Sequence, residues 1–201
     1  MLHGEMMRSV FALILLVGSV RAQNSDLGLL LGISSPSSRL EAGNGARVSG
    51  SVGAHGQINY AAQLLETRAG RLYLELPLLF GGHASGTVAG AITGSAGGML
   101  FFTPGLRLNI APHSRVSFYA AAGLGPAAFQ ESTAVVAKGF VSASSGWTVR
   151  AALEFGGGLD VRLTRLVSLR GEVRDFVSGR GLGGVAGRHH PIYGFGAGLH
   201  W

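Results

Sequence analysis

His83 and Ser85 lie two residues apart and are a candidate pair of base and nucleophile. Nucleophilic catalysis needs the base within hydrogen-bond reach of the hydroxyl, with a third group that orients the base. The surrounding stretch, GGHASGTVAGAITGSAG, offers no obvious acid for that third place. We therefore interpret this stretch as a polar loop, with catalysis as the less favoured alternative.

Two further patterns could bind a metal or a cofactor. His189 and His190 carry imidazole nitrogens, but adjacent residues of an extended segment point to opposite sides, and the sequence offers no third ligand nearby. The run 179–184, GRGLGG, matches the spacing GxGxxG. A dinucleotide site needs that spacing inside a βαβ unit, with an acidic residue about 20 positions on, and the sequence offers neither. We expect no metal site, no cofactor and no catalytic residues.

Charged side chains alternate with apolar ones over a long part of the chain. Between Trp147 and Arg174, outside the turn at 164–166, the charges stand at even positions, while Trp, Val, Leu and Phe stand at odd ones. Because side chains of a strand alternate faces, the charges share one face. Acids and bases enclosed together can neutralise one another. We expect one inward-facing charge network made of Glu75, Arg107, Arg150, Glu154, Asp160, Arg162, Arg170, Glu172 and Arg174.

The same period of two predicts an all-β fold. In RLYLELPLLF, residues 71–80, four leucines and a phenylalanine share one face, and Glu75 lies on the other. After the first 22 residues, no run of 18 apolar residues suggests a membrane-spanning helix. Strands are expected at 26–34, 47–65, 71–80, 98–110, 115–129, 147–163, 166–177 and 191–201.

The connections between these eight strands alternate in length. The turns ETRAG, APHS and Thr164-Arg165 are short, whereas the segments 81–97, 130–146 and 178–190 are long. Transmembrane β-barrels have short periplasmic turns and longer outer loops. A closed barrel also satisfies every backbone polar group within lipid. The pattern therefore predicts an antiparallel up-and-down barrel with both chain ends on the short-turn, periplasmic side.

Composition agrees with contact with lipid and with export. Charged residues make up 13 % of the chain, against about 25 % in soluble domains, and the mean hydropathy is +0.35. Arg8, the apolar run from Val10 to Val20 and the small Ala22 have the layout of a cleavable signal peptide. We predict a signal peptide at 1–22 and one barrel domain at 23–201. The chain has no cysteine, so stability must come from the sheet and its apolar contacts rather than from disulfides.

Three stretches share features of one known family. FFTPGLRLNI with RVSFYAAAGLG, then GGGLDVRLTRLVSLRGEVRDF, then GFGAGLHW resemble two hairpins and the C-terminal assembly signal of the small eight-stranded outer-membrane β-barrels. That superfamily contains the transmembrane domain of outer membrane protein A. In the assembly signal the matching residues are Gly196, Leu199 and Trp201, whereas Gly194 stands where that signal often has a polar residue. The resemblance implies an eight-stranded barrel in the outer membrane, inserted by the barrel-assembly machinery.

The function expected from these features is non-enzymatic. Eight strands leave an interior that side chains fill, so the inward charges are interpreted as a plug. We expect a monomer with a structural or surface-contact role, whose partners are outer-membrane lipid and lipopolysaccharide. The alternatives are a narrow, low-conductance pore and a membrane-embedded lipid hydrolase that would use Ser85. Nucleic acid is not expected, because basic residues are scattered over several loops, at Arg39, Arg47, Lys138, Arg180 and Arg188.

Overall fold

The computed structural model describes residues 24–34, 39–40, 47–48, 53–88, 92–137, 140–180 and 186–201. Side chains are described for these ranges except at 39–40, 47–48, 83–96, 131, 133–144, 180 and 186–188. The signal peptide predicted at 1–22 and the side chains of the basic loop residues lie outside the described part.

The described chain is built of antiparallel strands. The strands are β1 (Ser25–Ser34), β2 (Arg39–Leu40), β3 (Arg47–Val48), β4 (Gly53–Glu66), β5 (Gly70–Val88), β6 (Ile92–Phe102), β7 (Gly105–Ile110), β8 (Val116–Ala137), β9 (Phe140–Arg162), β10 (Val167–Arg180) and β11 (Ala186–His200). β2 and β3 pair with each other, and the other nine strands form one sheet. Among the described residues, no helix is long and apolar enough to cross a membrane.

The sheet closes because its first and last strands pair. β1 pairs with β4 on one side and with β11 on the other, and Leu31 lies opposite Phe195 in the second pairing. At the rim, the Ser25 N–H donates to the Trp201 carbonyl at 2.8 Å. Around the wall, each strand pairs antiparallel with the next strand of this sheet along the chain, except that β6 and β7, which do not pair with each other, both pair with β5 and with β8. The fold is therefore an antiparallel up-and-down barrel, as the sequence predicted.

β6 and β7 occupy one position in the wall. Phe101 pairs with Ala127 and Gly105 pairs with Gly123, so the register against β8 is the same on both sides of the break. Pro104, which lies in the break, has no N–H to donate to a neighbouring strand. The barrel wall thus has eight strand positions, one of which is interrupted at Thr103-Pro104.

Several strands are longer than the sequence predicted. β8 has 22 residues and β9 has 23, whereas a transmembrane strand needs about 9–11. The interpretation of 81–97, 130–146 and 178–190 as long loops was wrong, because the hairpins continue to the pairs Val88–Ile92, Ala137–Phe140 and Arg180–Ala186. These Gly-, Ala- and Ser-rich segments lack clear alternation, and pairing with their neighbours holds them extended.

The distribution of polarity is inverted relative to a soluble protein. Leu31 is 76 % exposed and Phe195 is 64 % exposed on the outer face, while Arg107, Arg170 and Arg174 are fully buried inside. Such an arrangement removes charges from the surroundings and presents apolar side chains to them. It suits a barrel whose outer face contacts lipid and whose interior is polar.

Candidate functional site

The barrel interior near the short turns holds two arginines between two aspartates. Arg170 donates from Nη2 to Asp26 Oδ2 at 2.8 Å and from Nε to Asp160 Oδ1 at 2.7 Å. Arg107 Nη1 lies 3.2 Å from Asp26 Oδ1. All four side chains are buried. We call Asp26, Arg107, Asp160 and Arg170 the Asp–Arg layer; its formal charges balance.

Aromatic rings and a missing side chain complete this layer. The Arg107 guanidinium lies 4.7 Å from the centre of the Tyr73 ring, and those of Arg107 and Arg170 each lie 5.4 Å from the Tyr119 ring, which are cation–π distances. A Cβ atom at Gly28 would stand 2.7 Å from Arg170 Nη1. Glycine at this position therefore leaves the space that the guanidinium occupies.

A second set of charges lies further into the barrel. Arg174 donates from Nη2 to Glu75 Oε1 at 2.9 Å and to Glu172 Oε2 at 3.0 Å, and its Nη1 contacts Glu154. Three carboxylates thus surround one guanidinium. We call Glu75, Glu154, Glu172 and Arg174 the Glu–Arg layer.

Neutral polar side chains from other strands bind these glutamates. The Tyr119 hydroxyl donates to Glu172 Oε2 at 2.6 Å, and the Thr103 hydroxyl donates to Glu154. In the orientation that satisfies both ends of its amide, Asn59 accepts at its side-chain oxygen from Gln57 Nε2 at 3.0 Å and from Arg174 Nη2 at 3.2 Å. Strands on opposite sides of the wall are therefore linked through the interior.

Beyond the Glu–Arg layer the filling becomes apolar. The ring centres of Phe101 and Phe176 lie 4.7 Å apart, and those of Phe101 and Phe129 lie 5.4 Å apart. His190 stacks on Phe129 at 5.6 Å and lies 3.3 Å from the Ser178 hydroxyl. We call this set the apolar cap; its buried members are Leu79, Met99, Phe101, Ala127, Phe129, Ala152, Phe176 and Ile192.

The structure brings together seven of the nine charged residues selected from the sequence. Arg150 is not among them, because its side chain is exposed on β9 beyond the part that pairs with β10. Arg162 is half-buried at the rim, where its Nη2 donates to the Pro112 carbonyl at 3.0 Å. The seven are Glu75, Arg107, Glu154, Asp160, Arg170, Glu172 and Arg174.

Sequence reasoning missed several interior residues. Asp26 binds both arginines of the Asp–Arg layer, and it is in phase with Gly28 and opposite the Leu27, Leu29 face. This alternation could have identified Asp26 as an inward-facing residue. The interior phenylalanines could not be identified in this way, because an apolar residue on the inner face looks the same in the sequence as one on the outer face.

The other candidates from the sequence lie elsewhere. His189 is exposed and its Nδ1 lies 2.5 Å from Asp175 Oδ2, whereas the neighbouring His190 is buried in the barrel. His83 and Ser85 lie on β5, but their side chains are outside the described part. In the predicted assembly signal, Leu199 and Trp201 are 40 % and 51 % exposed on the outer face, and Gly196 pairs with Leu30 and Arg170.

A cavity of about 220 Å³ opens at the short-turn end of the barrel. His200 lines it and connects it to the interior, since His200 Nδ1 lies 2.9 Å from Asp26 Oδ2 and Nε2 lies 2.9 Å from the Ser168 hydroxyl. Polar side chains dominate the lining, which includes Asn24, Ser25, Arg71, Tyr73, Asn109, Ser117, Asp160, Arg162, Arg165, Ser168 and His200.

At the opposite end, part of the wall continues as a sheet of β5, β6, β8 and β9, which we call the protruding sheet. β9 pairs with β8 up to Phe140, but its pairing with β10 ends at Ala152. Residues 140–151 of β9 therefore have a free edge among the described residues. On this segment Trp147 and Val149 are 63 % and 64 % exposed.

Comparison with known proteins yields likeness in fold. No family model and no curated protein matches the sequence. Neisserial surface protein A, NspA, matches with a TM-score of 0.50 at 13 % identity, over 90 % of this chain and 98 % of that one. The outer membrane protease OmpT of Escherichia coli matches with a TM-score of 0.52 at 8 % identity, over 89 % and 96 %. These likenesses concern the fold alone. Together with the closed sheet and the apolar outer face, they identify the chain as having the fold of the outer-membrane β-barrels.

Proposed function

We propose that this chain is a non-enzymatic outer-membrane barrel with a filled lumen, which makes contacts at the cell surface through the protruding sheet. The short turns and both chain ends would face the periplasm, and lipid would cover the apolar outer face. Lipopolysaccharide would be the lipid partner at the outer end.

The filled lumen argues against transport as the main function. The Asp–Arg layer, the Glu–Arg layer and the apolar cap follow one another along the barrel interior, and the largest of their side chains are fully buried. Barrels of eight strands have an interior that side chains fill, whereas aqueous channels occur in barrels of 16–18 strands. What remains for interaction is the outside of the molecule.

The free edge of β9 is the observation that carries the contact function. An unpaired strand edge offers a row of N–H and C=O groups that an extended segment of another protein can pair with. Beside this edge, Trp147 and Val149 offer exposed apolar surface, and large aromatic residues often dominate binding energy. An extended polypeptide segment is therefore the proposed type of partner.

Binding can be measured with purified protein in nanodiscs. The probe is serum albumin, offered either reduced and carboxymethylated, so that its backbone is extended, or native. We expect the extended form to bind and the native form to bind much less. Replacing Trp147→Ser together with Val149→Ser should weaken binding on the order of tenfold, because the apolar contacts beside the edge are lost.

A double variant at the other end of the barrel serves as the matched control. Leu163→Ser with Leu166→Ser removes two apolar side chains that are 53 % and 60 % exposed near the short turn between β9 and β10. This control should bind like the unmodified protein. Equal binding by both double variants, or no binding of the extended albumin at all, would refute the proposed contact surface.

A further inference from the structure

The cavity at the short-turn end of the barrel carries positive charge that the side chains of its lining do not balance. Arg162 and Arg165 both line this cavity, and neither pairs with an acid among the side chains that the structure describes. The acidic side chain of the lining is that of Asp160, which the buried Arg170 already binds at 2.7 Å. Arg71 adds a third guanidinium to the lining, although this one pairs with an acid at the rim. Two guanidinium groups therefore border the cavity without a counter-charge.

Two buried polar side chains of the same lining are also without partners. Ser117 and Asn109 are each 6 % exposed and both line the cavity. Neither the Ser117 hydroxyl nor the Asn109 amide forms a hydrogen bond with another residue of the described part of the chain. Buried polar groups in proteins almost always have a hydrogen-bond partner. Both side chains are therefore available to a molecule that enters the cavity.

We propose that this cavity binds a phosphate group. Guanidinium groups offer paired N–H donors that match the oxygens of a phosphate. The Ser117 hydroxyl and the Asn109 amide nitrogen add two further donors. A water molecule occupies roughly 10–15 Å³ of such a cavity volume. A volume of about 220 Å³ therefore has room for a phosphate group together with water.

The free oxygen of Asn109 favours phosphate over other anions of similar size. Asn109 Oδ1 is a buried acceptor without a partner among the described atoms, so the ligand needs a donor as well as negative charge. Hydrogen phosphate carries its own hydroxyl, and the headgroup of phosphatidylglycerol carries two hydroxyls beside its phosphate. Sulfate is fully ionised at neutral pH and has no proton to donate.

The phosphate group has two possible sources, with the orientation proposed above. Inorganic phosphate of the periplasm reaches the cavity through its open end. A phospholipid of the periplasmic leaflet reaches it from the side, because the apolar Leu166 and Trp201 also line the cavity and are 60 % and 51 % exposed. Basic residues near a membrane surface attract anionic headgroups. The site lies at the opposite end of the barrel from the protruding sheet, so either proposal can fail without the other.

The first test is thermal unfolding of the full chain in detergent, at constant pH and ionic strength, with sodium chloride replaced by sodium phosphate or by sodium sulfate. A ligand that binds the folded state raises the unfolding midpoint. At a phosphate concentration about 100 times the dissociation constant, the midpoint should rise by roughly 5–10 °C. Sulfate should raise it less, since sulfate reports the general effect of an anion that is excluded from the protein surface.

A second readout needs no variant. The unmodified protein should broaden the phosphorus-31 NMR line of inorganic phosphate. Equal shifts of the unfolding midpoint in phosphate and sulfate, or an unbroadened phosphate line, would overturn the proposal.

Arg162→Gln together with Arg165→Gln should abolish the difference between phosphate and sulfate. The matched control is Arg68→Gln with Arg115→Gln, which removes the same charge from exposed positions in the other two short turns, outside the cavity lining. This control should keep the phosphate-dependent shift of the unmodified chain. Heat-dependent gel mobility checks that both double variants are folded. A shift that persists in the first double variant, or that both variants lose equally, would refute binding in this cavity.

Mass spectrometry of intact protein released from detergent micelles containing phosphatidylglycerol separates the two sources. If a lipid headgroup occupies the cavity, the unmodified chain and the Arg68/Arg115 control retain the lipid, and the Arg162/Arg165 variant loses it. If free phosphate is the ligand, all three proteins retain the lipid equally, while the phosphate-dependent shift still requires Arg162 and Arg165.

Discussion

Each buried guanidinium of the lumen holds several carboxylates in place at once. Arg170 forms bonds of 2.7–3.0 Å to both Asp26 and Asp160, which lie on different strands. Removing one partner of a buried ion pair lowers the free energy of unfolding by more than the intact pair contributes to it, because the other charge stays buried without compensation. Arg170 therefore stabilises β1 and β9, which carry Asp26 and Asp160, as well as its own strand β10.

Arg170→Leu should lower the free energy of unfolding by about 3–5 kcal/mol, since Asp26 and Asp160 would both lose their main partner. Arg150→Leu, the same replacement at an exposed position, should change it by no more than about 0.5 kcal/mol. Urea unfolding in detergent, followed by tryptophan fluorescence, measures both. Similar effects of the two replacements would contradict the buried position of Arg170 or the exposed one of Arg150.

For individual residues, the period of two assigned most inward charges correctly to one face. The residues that it misplaced or missed have physical explanations. Arg150 has the same phase as Glu154, but phase does not tell where the lumen filling ends. Phe176 follows Arg174 on the inner face of β10, yet its apolar character resembles that of the residues that face outward. Which glutamate binds which arginine depends on pairings across the barrel that a single sequence does not contain.

Strand β9 extends far beyond what a bilayer requires. Its 23 residues correspond to about 75 Å of chain at roughly 3.3 Å per residue, whereas about 9–11 residues cross a membrane. Counting from the short turn at Leu163, the membrane part ends near Leu153. Leu159 would then lie within the hydrocarbon, and Val149 beyond it, although both alternate on the same face.

Arginine replacements on this face distinguish the two parts of β9. Leu159→Arg should destabilise the barrel in lipid vesicles by about 2–4 kcal/mol, because a charge then faces hydrocarbon. Val149→Arg should cost no more than about 1 kcal/mol, as expected outside the hydrocarbon. Unfolding of vesicle-inserted protein by guanidinium measures both variants. A cost at Val149 equal to that at Leu159 would show that lipid covers the protruding sheet.

The eight wall positions and their order were predictable from alternation and turn length, but the outer strand ends were not. Gly-, Ala- and Ser-rich segments such as 81–97 have weak strand propensity and little contrast between faces. They become strands because neighbouring strands continue beside them, which is a property of the sheet and not of the segment. The interruption at Pro104 was likewise invisible in a pattern of hydrophobicity.

For the whole molecule, the order of layers along the lumen decides permeability. Ions entering from the short-turn cavity would meet the Asp–Arg layer first, then the Glu–Arg layer and the apolar cap. Together, the two charged layers and the apolar cap block the passage of both hydrated ions and apolar solutes.

Planar-bilayer recording should therefore show no stepwise current from the unmodified chain. Phe101→Ala with Phe176→Ala opens the apolar cap but leaves both charged layers, so this variant should stay silent as well. Successful insertion is checked by a heat-dependent shift in gel mobility of the recovered protein. Reproducible ohmic steps from the unmodified chain would instead support the narrow-pore alternative.

Closure through β1 and β11 has a consequence for the order of assembly. Asp26, in the first strand, finds Arg170 and His200 only after 144 further residues and more have been synthesised. Before β11 arrives, β1 has one neighbour, and its other edge can recruit a strand from any nearby chain. Pairing of β1 with β11 is consequently a late step of folding, because it joins strands from the two ends of the described sequence. Such distant pairings form slowly. The risk of aggregation is greatest during this interval, and it ends once β1 and β11 have paired.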